Sequence, residues 1–187
     1  MAVSLLKKGE QIELNSGLKN IRVGLGWRMR ETAGDNFDLD VCAFMLGRNG
    51  KVRSDADFIF YNQLKSRCGC VEHMGDNLVG GTGNNDDETV KVSLVNLAAD
   101  VEKIVFTTTI HKARERRQNF GMVGNAYIRI VDDATTEEIA KFELAEDAGT
   151  NQAVVFGELY RHNGVWKFRA VGQGVDADLY KIAVNYG

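Results

Sequence analysis

The segment GELYRHNGVWKFRAVG, residues 157–172, constrains the fold more than any other stretch of the chain. It consists of two runs of alternating side chains around an Asn-Gly pair, and Asn-Gly supplies the two positive-φ positions of a type I′ turn. Alternation along the second run predicts that Trp166, Phe168 and Ala170 form an apolar face. Lys167 and Arg169 are predicted to form the opposite, polar face. The segment therefore predicts a β-hairpin.

Short runs rich in β-branched and aromatic residues, separated by Gly, Asn and Asp, occur along the rest of the chain. They predict strands at residues 3–14, 18–27, 38–46, 56–61, 89–94, 104–110, 126–131, 138–144, 153–162 and 165–172. Helices are predicted only at 112–120 and 176–185, the second opened by an acidic N-cap. Without a repeat or a linker-like boundary, this pattern predicts a mostly β fold: residues 1–187 form a single-domain β-sandwich of two antiparallel sheets with a few short helices.

Charge and cysteine content limit the class of protein. A net charge of -3 gives no overall field that would attract nucleic acid, and no apolar window is long enough for a transmembrane segment or signal peptide. The 3 cysteines are an odd number, which argues against a disulfide framework and fits a reducing compartment. Cys42, in an apolar strand, is expected to be buried. We therefore expect a cytoplasmic protein.

Acidic side chains are concentrated in GDNFDLDVCAF, residues 34–44. Residues two apart on a strand point the same way, so Asp38 and Asp40 should share one face while Phe37 and Leu39 turn to the other. Two carboxylates placed in this way repel each other, and a bound cation would remove that repulsion.

A second acidic segment runs through glycine-rich residues 75–88. It carries the oxygen-bearing side chains of Asp76, Asn77, Asn84, Asn85, Asp86, Asp87 and Glu88. Calcium prefers six to eight oxygen ligands held by flexible loops, and glycine lets backbone carbonyls turn inward. The order is not that of an EF-hand, so the residues alone leave open a calcium site or two solvated polar loops.

Several motifs together resemble the TerD family of tellurium-resistance and stress-response proteins. They are VGLGW at 23–27, NFDLDVCAF at 36–44, GKVRSDADFIFYNQLKS at 50–66, GDN at 75–77, GNNDDE at 83–88 and GELYRHNGVWKFRAVGQG at 157–174. The resemblance extends from about residue 3 to residue 174. It implies a calcium-binding β-sandwich whose metal site is built from loops at one end.

The resemblance also implies a set of side-chain ligands: Asp38, Asp40, Asn62, Asp76, Asp86, Asp87 and Glu88. This chain departs from the family pattern at three positions, where the family commonly has Asp and this sequence has Arg28, Asn36 and Asn84. Asn36 and Asn84 still offer a carbonyl oxygen and stay in the predicted ligand set, whereas Arg28 cannot bind a cation. Because fewer carboxylates bind calcium more weakly, we expect one ion to be retained and a second to be weakened or lost.

Other motifs suggest alternative chemistry. Cys68, Cys70 and His73 in CGCVEH are too few for a structural zinc site, and are expected to lie in an exposed loop, with a thiol-based role in oxyanion handling as an alternative. The clustered cations of HKARERR, residues 111–117, are expected on a solvated helix face, with docking to a phosphate-bearing ligand, an acidic partner or lipid head groups as the alternative. No nucleophile–base motif is present, and His73, His111 and His162 have no obvious partner. A metal-dependent phosphoesterase-type hydrolase would require a histidine near the acids.

The resemblance implies a non-enzymatic function. We expect a stress-response protein that contributes to tellurite resistance by binding other stress-response or tellurium-resistance proteins, in the cytoplasm and at the inner face of the membrane. Calcium would order the acidic loops and so form the binding surface.

Overall fold

The computed structural model describes residues 3–29, 37–75, 86–144 and 149–187. Within them the strands are β1 (Ser4–Leu6), β2 (Gln11–Glu13), β3 (Asn20–Met29), β4 (Leu39–Leu46), β5 (Phe58–Ile59), β6 (Val71–His73), β7 (Glu88–Ser93), β8 (Lys103–Ile110), β9 (Val123–Asp132), β10 (Glu138–Glu143), β11 (Ala153–His162) and β12 (Val165–Val175). Two α-helices are present in the same ranges, α1 (Ala113–Arg116) and α2 (Leu179–Tyr186).

The strands form two six-stranded sheets, which confirms the predicted mostly β, sandwich-type fold. The first sheet has the order β1-β10-β9-β3-β7-β6 and the second the order β2-β12-β11-β8-β4-β5. The pairings are antiparallel except that of β1 with β10. No helix in the described residues is long and apolar enough to cross a membrane.

The Asn-Gly hairpin forms as predicted. Asn163 and Gly164 have φ values of 51° and 78°, and the flanking strands β11 and β12 pair directly across the turn. Trp166, Phe168 and Ala170 are buried, and the intervening basic side chains are more exposed. The alternation in the sequence thus fixes which face of β12 enters the core.

Two apolar clusters stabilise the sandwich. The larger lies between the sheets and includes Leu39 and Val41 of β4 together with Phe168. The smaller lies on the outer face of the second sheet, where Cys42 and Phe44 are covered by α2. Cys42 is 0% exposed, as expected.

The order of the strands brings many loops to one end of the molecule. At this end β4, β7, β9 and β11 begin, and β3, β6, β8, β10 and β12 end, as the registers show. The strand ends that flank residues 30–36, 76–85 and 145–148 all lie here. We call this the acidic end, because both acidic segments meet it.

The predicted strand 3–14 is wrong, since two strands in different sheets occupy it. A tight turn separates them: Glu10 N donates to Lys7 O at 2.9 Å, and Gly9 has φ 86°, a conformation that glycine adopts without steric cost. The turn carries the chain from the first sheet to the second.

Other elements also differ from the prediction. The predicted strand 56–61 is reduced to β5, because Asp55–Asp57 form a 3-10 helix before it. β6 has only three residues, too short to show a periodic pattern, and was not predicted. The predicted helix 112–120 is a single turn, α1, bounded by left-handed residues Lys112 and Arg117. The C-terminal helix is capped by Asp178, whose Oδ1 accepts from Lys181 N at 2.9 Å, so its first residue is 179 and not 176.

An ion pair holds the loop before β5. Arg53 donates from Nε and one terminal nitrogen to the two oxygens of Asp57, at 2.7 and 2.9 Å, and from the other to Asp100 at 2.5 Å. Asp57 is 3% exposed. Its hydrogen bonds to Arg53 raise the pKa of the guanidinium despite partial burial. The motif GKVRSDADF therefore has a structural role here.

We predict that Arg53→Ala lowers the free energy of unfolding by on the order of 2 kcal/mol, because it leaves the Asp57 carboxylate buried without its bidentate partner. Arg48→Ala is a matched control: Arg48 is 90% exposed and pairs with Glu102 through one nitrogen, so its loss should cost under about 0.5 kcal/mol. Urea unfolding of both variants measures the difference, and equal losses would contradict the structural role of Arg53.

Candidate metal site at the acidic end

Asp38 and Asp40 lie where β4 begins. Phe37 and Leu39 are buried in the core between the sheets, so the two acids share the opposite face, as the period of a strand requires. Asp40 is 6% exposed, and its Oδ2 lies 3.6 Å from Nδ1 of His111. The main chain joins the same elements, because His111 N donates to Asp38 O at 2.8 Å. The sequence did not predict a partner for His111.

Glu88 and Asp87 each cap a backbone N–H at a point where strand pairing stops. Along β4, only Ala43 and Phe44 pair with β5. The N–H of Val41 lies outside that pairing and donates to Glu88 Oε2 at 2.7 Å. Along β3, the pairing with β7 ends at Leu25. The N–H of Trp27, two residues later, donates to Asp87 Oδ2 at 2.9 Å. Glu88 belongs to the first sheet and Val41 to the second, so this bond ties the two layers together.

His73 faces Glu88 inside the sandwich. Its Nδ1 accepts from Gly75 N at 3.2 Å, which places the proton of a neutral ring on Nε2. Nε2 lies 3.5 Å from Glu88 Oε2, and the side chain of each residue is 1% exposed. No partner was evident from the sequence for either His73 or His111, because each contact joins residues from separate segments of the chain.

Asp86 lies on the outer face of the first sheet. Its Oδ1 accepts from Arg129 Nε at 2.7 Å and from Tyr127 OH at 3.1 Å, and Arg129 also donates to Glu138 at 2.8 Å. Burial opposes the charge of Arg129, but hydrogen bonds to Asp86 and Glu138 outweigh it and raise its pKa. Burial and the Asp86 charge raise the pKa of Tyr127, so its hydroxyl stays protonated and donates.

The glycines of VGLGW make room for this cluster. A Cβ atom at Gly24 would overlap the Asp86 carboxylate, and one at Gly26 would lie 2.5 Å from the Tyr127 ring. The two glycines are therefore required sterically, because side chains from β9 and from the start of β7 lie across β3 at these positions.

The other predicted ligands are only partly described. Asn62 is exposed in the turn after β5, which approaches the start of β4 because β5 runs antiparallel to it. Asn36, Asp76 and Asn84 lie outside the described residues. Arg28, the basic departure from the family pattern, is exposed near the end of β3. The structure thus places Asp38, Asp40, Asp86, Asp87 and Glu88 at one end of the sandwich.

These residues offer oxygen ligands, which suit a hard cation such as calcium. Across residues 3–29, 37–75, 86–144 and 149–187, however, no three His, Cys, Asp or Glu side chains are grouped closely enough to hold a metal ion. Negative charge does accumulate: burial, followed by the charges of Asp40 and Glu88, raises the pKa of the Cys42 thiol well above its usual value. The donor chemistry of these residues suits calcium, but the described acids do not by themselves form a metal site.

Two sequence expectations away from the acids can also be compared with the structure. Cys68 and Cys70 form a disulfide, so the expectation of unpaired cysteines is wrong; Cys42 is the odd thiol. Cys68 is exposed as expected, but Cys70 is 3% exposed and belongs to the core. In the basic segment, Lys112, Arg114 and Arg117 are exposed around the single turn of α1.

Comparison with known proteins identifies relatives over the whole chain. The family model described as the TerD domain matches residues 1–186. The tellurium resistance protein TerD of an Alcaligenes species is 53% identical, covering 100% of this chain and 98% of that protein. General stress protein 16U of Bacillus subtilis (strain 168) is 49% identical with the same coverage.

A solved structure confirms the fold. The crystal structure of a homologue of a telluride resistance protein (TerD), from Streptomyces coelicolor A3(2), superposes with a TM-score of 0.71 and covers 89% of this chain and 96% of that one. The identity is 19%, so this likeness concerns the fold alone.

We predict that Gly24→Ala lowers the free energy of unfolding by about 1–3 kcal/mol, because the new methyl group displaces Asp86 from Arg129 and Tyr127. Gly47→Ala is the control, since the nearest atom to a Cβ there is 3.5 Å away, an ordinary contact. Thermal unfolding compares the two, and a Gly24→Ala protein as stable as Gly47→Ala would contradict the steric role.

We predict that Glu88→Ala lowers the free energy of unfolding by about 1–3 kcal/mol in chelator, because the Val41 N–H loses its acceptor inside the protein. Glu88→Gln keeps a side-chain oxygen for the same N–H and should retain most of that stability. Urea unfolding measures the free energy of unfolding of both variants. If Glu88→Gln loses as much stability as Glu88→Ala, the negative charge of Glu88 is what stabilises the protein, and the hydrogen bond to the Val41 N–H is not.

Proposed function

Because the chain belongs to the TerD family, we propose that it is a calcium-binding stress-response protein that contributes to tellurite resistance. Relatives named for tellurium resistance and for general stress share about half of its residues over its full length, which supports this assignment. Calcium binding is the finer part of the proposal and depends on the acidic end.

The observation that carries the calcium proposal is the burial of carboxylates at one end of the sandwich. Asp40 and Glu88 are 6% and 2% exposed, and both raise the pKa of the same thiol, Cys42. Like charges buried near each other repel, and the repulsion is strong in the interior. A divalent cation at the adjoining loops would offset it, in addition to the contacts of Asp40 and Glu88 with His111 and His73.

Individual residues have different roles in this proposal. Asp38 and Asp40 would hold the ion from β4, and Asp86, Asp87 and Glu88 from the start of β7, together with Asn62 and with Asn36, Asp76 and Asn84. Asp87 and Glu88 already position the backbone of β3 and β4 through their N–H bonds. Bound calcium neutralises this end, and the neighbouring loops become ordered.

We further propose a non-enzymatic mode of action. The ordered loops form a surface for other stress-response or tellurium-resistance proteins, in the cytoplasm and at the inner face of the membrane. Exposed cations of the α1 segment, Lys112, Arg114 and Arg117, lie beside the acidic end and would contribute to that surface.

One geometric observation favours a second candidate, a metal-dependent phosphoesterase. It needs a histidine near the acids, and His111, whose side chain is 36% exposed, lies 3.6 Å from Asp40. Hydrolysis of a chromogenic phosphate monoester with calcium, magnesium or manganese tests it. Turnover that is lost in His111→Ala would favour the enzyme, and the absence of turnover would favour the binding module.

We predict that calorimetric titration with calcium shows one bound equivalent, and that millimolar calcium raises the unfolding temperature above its value in chelator. Asp40→Asn should weaken binding at least tenfold, since it removes a charged ligand. Glu13→Gln is the control, because Glu13 is exposed on β2, far from the acidic end. Absence of heat and of stabilisation would refute calcium binding, and two tight equivalents would refute the loss of the second ion.

A further inference from the structure

Cys68 and Cys70 lie in a tight turn that precedes β6. The turn is closed by Gly69 N donating to Ser66 O at 2.8 Å and Ser66 N donating to Val71 O at 2.9 Å, with an antiparallel bridge between Lys65 and Glu72 below it. Gly69 adopts φ 69°, a left-handed conformation that favours glycine. The backbone therefore brings the two Cα atoms to 5.3 Å, within the range of a disulfide.

The two sulfur atoms have different surroundings. Cys68 is an exposed residue. Cys70 is 3% exposed and packs in the core between the sheets, and its carbonyl accepts from Ser93 N at 2.7 Å. We therefore expect a soluble reagent to react at Cys68 before Cys70.

Hydrogen-bond donors surround the sulfur of Cys68. Ser66 Oγ lies 3.4 Å from Cys68 Sγ, and Cys70 N donates to the same sulfur at 3.4 Å. Ser66 is 4% exposed and is itself fixed by Val71 N, which donates to its Oγ at 3.0 Å. Donors that point at a sulfur stabilise it as a thiolate, the form that attacks and the form that leaves in disulfide exchange.

We propose that the Cys68-Gly69-Cys70 turn is a thiol–disulfide exchange site that takes electrons from, and returns them to, a low-molecular-weight thiol and its disulfide. This proposal is independent of calcium and of the acidic end. The exposed Cys68 is the sulfur that meets the external partner, and the buried Cys70 is the resolving sulfur.

The exchange balances in two steps. An external thiolate attacks Cys68 Sγ, the bond between Cys68 and Cys70 breaks, and Cys70 leaves as a thiolate that takes a proton. A second external thiolate then attacks the external sulfur of the mixed disulfide and releases Cys68 as a thiolate, beside the donors Ser66 and Cys70 N–H. Two thiols become one disulfide, and two electrons pass to the protein; oxidation is the reverse.

The wild-type protein provides the first test. It is equilibrated with mixtures of reduced and oxidised glutathione, alkylated under native conditions and digested, and the peptide that carries both cysteines is followed by mass spectrometry. We expect that peptide to change between a dithiol and an internal disulfide, lighter by two hydrogens, as one two-electron couple. Cys42, fully buried and with a raised pKa, should stay unlabelled until the protein is denatured.

Single substitutions test the asymmetry of the pair. Cys70→Ser should form a mixed disulfide with glutathione at Cys68, while Cys68→Ser should form at least tenfold less at Cys70, because Cys70 is buried. Ser66→Ala should slow alkylation of Cys68 and shift its pH profile upward, and circular dichroism shows whether each variant is folded. Leu64→Ala, in an exposed position two residues earlier, is the matched control.

Two results would overturn the proposal. One is a dithiol peptide at every glutathione ratio, with no internal disulfide formed. The other is a disulfide that millimolar glutathione does not reduce in the native protein, which would make it a fixed structural bond. Equal mixed-disulfide formation at Cys68 and Cys70 would leave exchange in place and refute the assigned roles.

Discussion

Two consecutive carboxylates, Asp87 and Glu88, bind backbone N–H groups where regular strand pairing ends, and the Glu88 bond connects the two sheets. Asp87 accepts the N–H of Trp27 in the first sheet, and Glu88 accepts the N–H of Val41 in the second. An unsatisfied N–H in the interior costs about 1–3 kcal/mol. The geometry of the acidic end therefore depends on these bonds, including the position of Asp40 next to Val41 and of His73 against Glu88.

The structural roles of these acids are compatible with the proposed metal binding. A carboxylate has two oxygens with about four lone-pair sites, so accepting one N–H does not exhaust its capacity. Asp86 differs from its neighbours, because the ion pair with Arg129 and the Tyr127 hydroxyl already engage it on the outer face of the first sheet. Asp86 therefore has a structural role on that face.

Periodicity predicted most of the strands and the fold class, because alternation and turn residues act over a few positions. It failed where structure depends on distant contacts. Residues 3–14 alternate well enough for one strand, yet the turn at Gly9 divides them between sheets. β6 is held by its pairing with β7 and is too short to show a pattern. Cysteine parity likewise gave no warning of a pair two residues apart.

The candidate site was predictable in its residue types but not in the contacts of those residues. Motif resemblance pointed to Asp38, Asp40 and residues 86–88, and the strand order brings them to one end. The partners of those acids, His111, His73 and Arg129, lie on other segments of the chain, at sequence separations that follow no local rule. The acidic residues could thus be identified from the sequence, whereas the residues that contact them depend on strand order and register.

Helix α2 covers part of the second sheet, where Ile182 and Tyr186 pack in the smaller apolar cluster. Tyr186 packs against Phe44, which stacks on Phe58, and Phe58 stacks on Phe60. The main chain there is also bound, since Val52 N donates to Tyr186 O at 2.7 Å and Lys51 Nζ to Asn185 O at 2.7 Å. A cut before residue 179 would uncover these aromatic rings, and exposed apolar patches of that kind favour self-association.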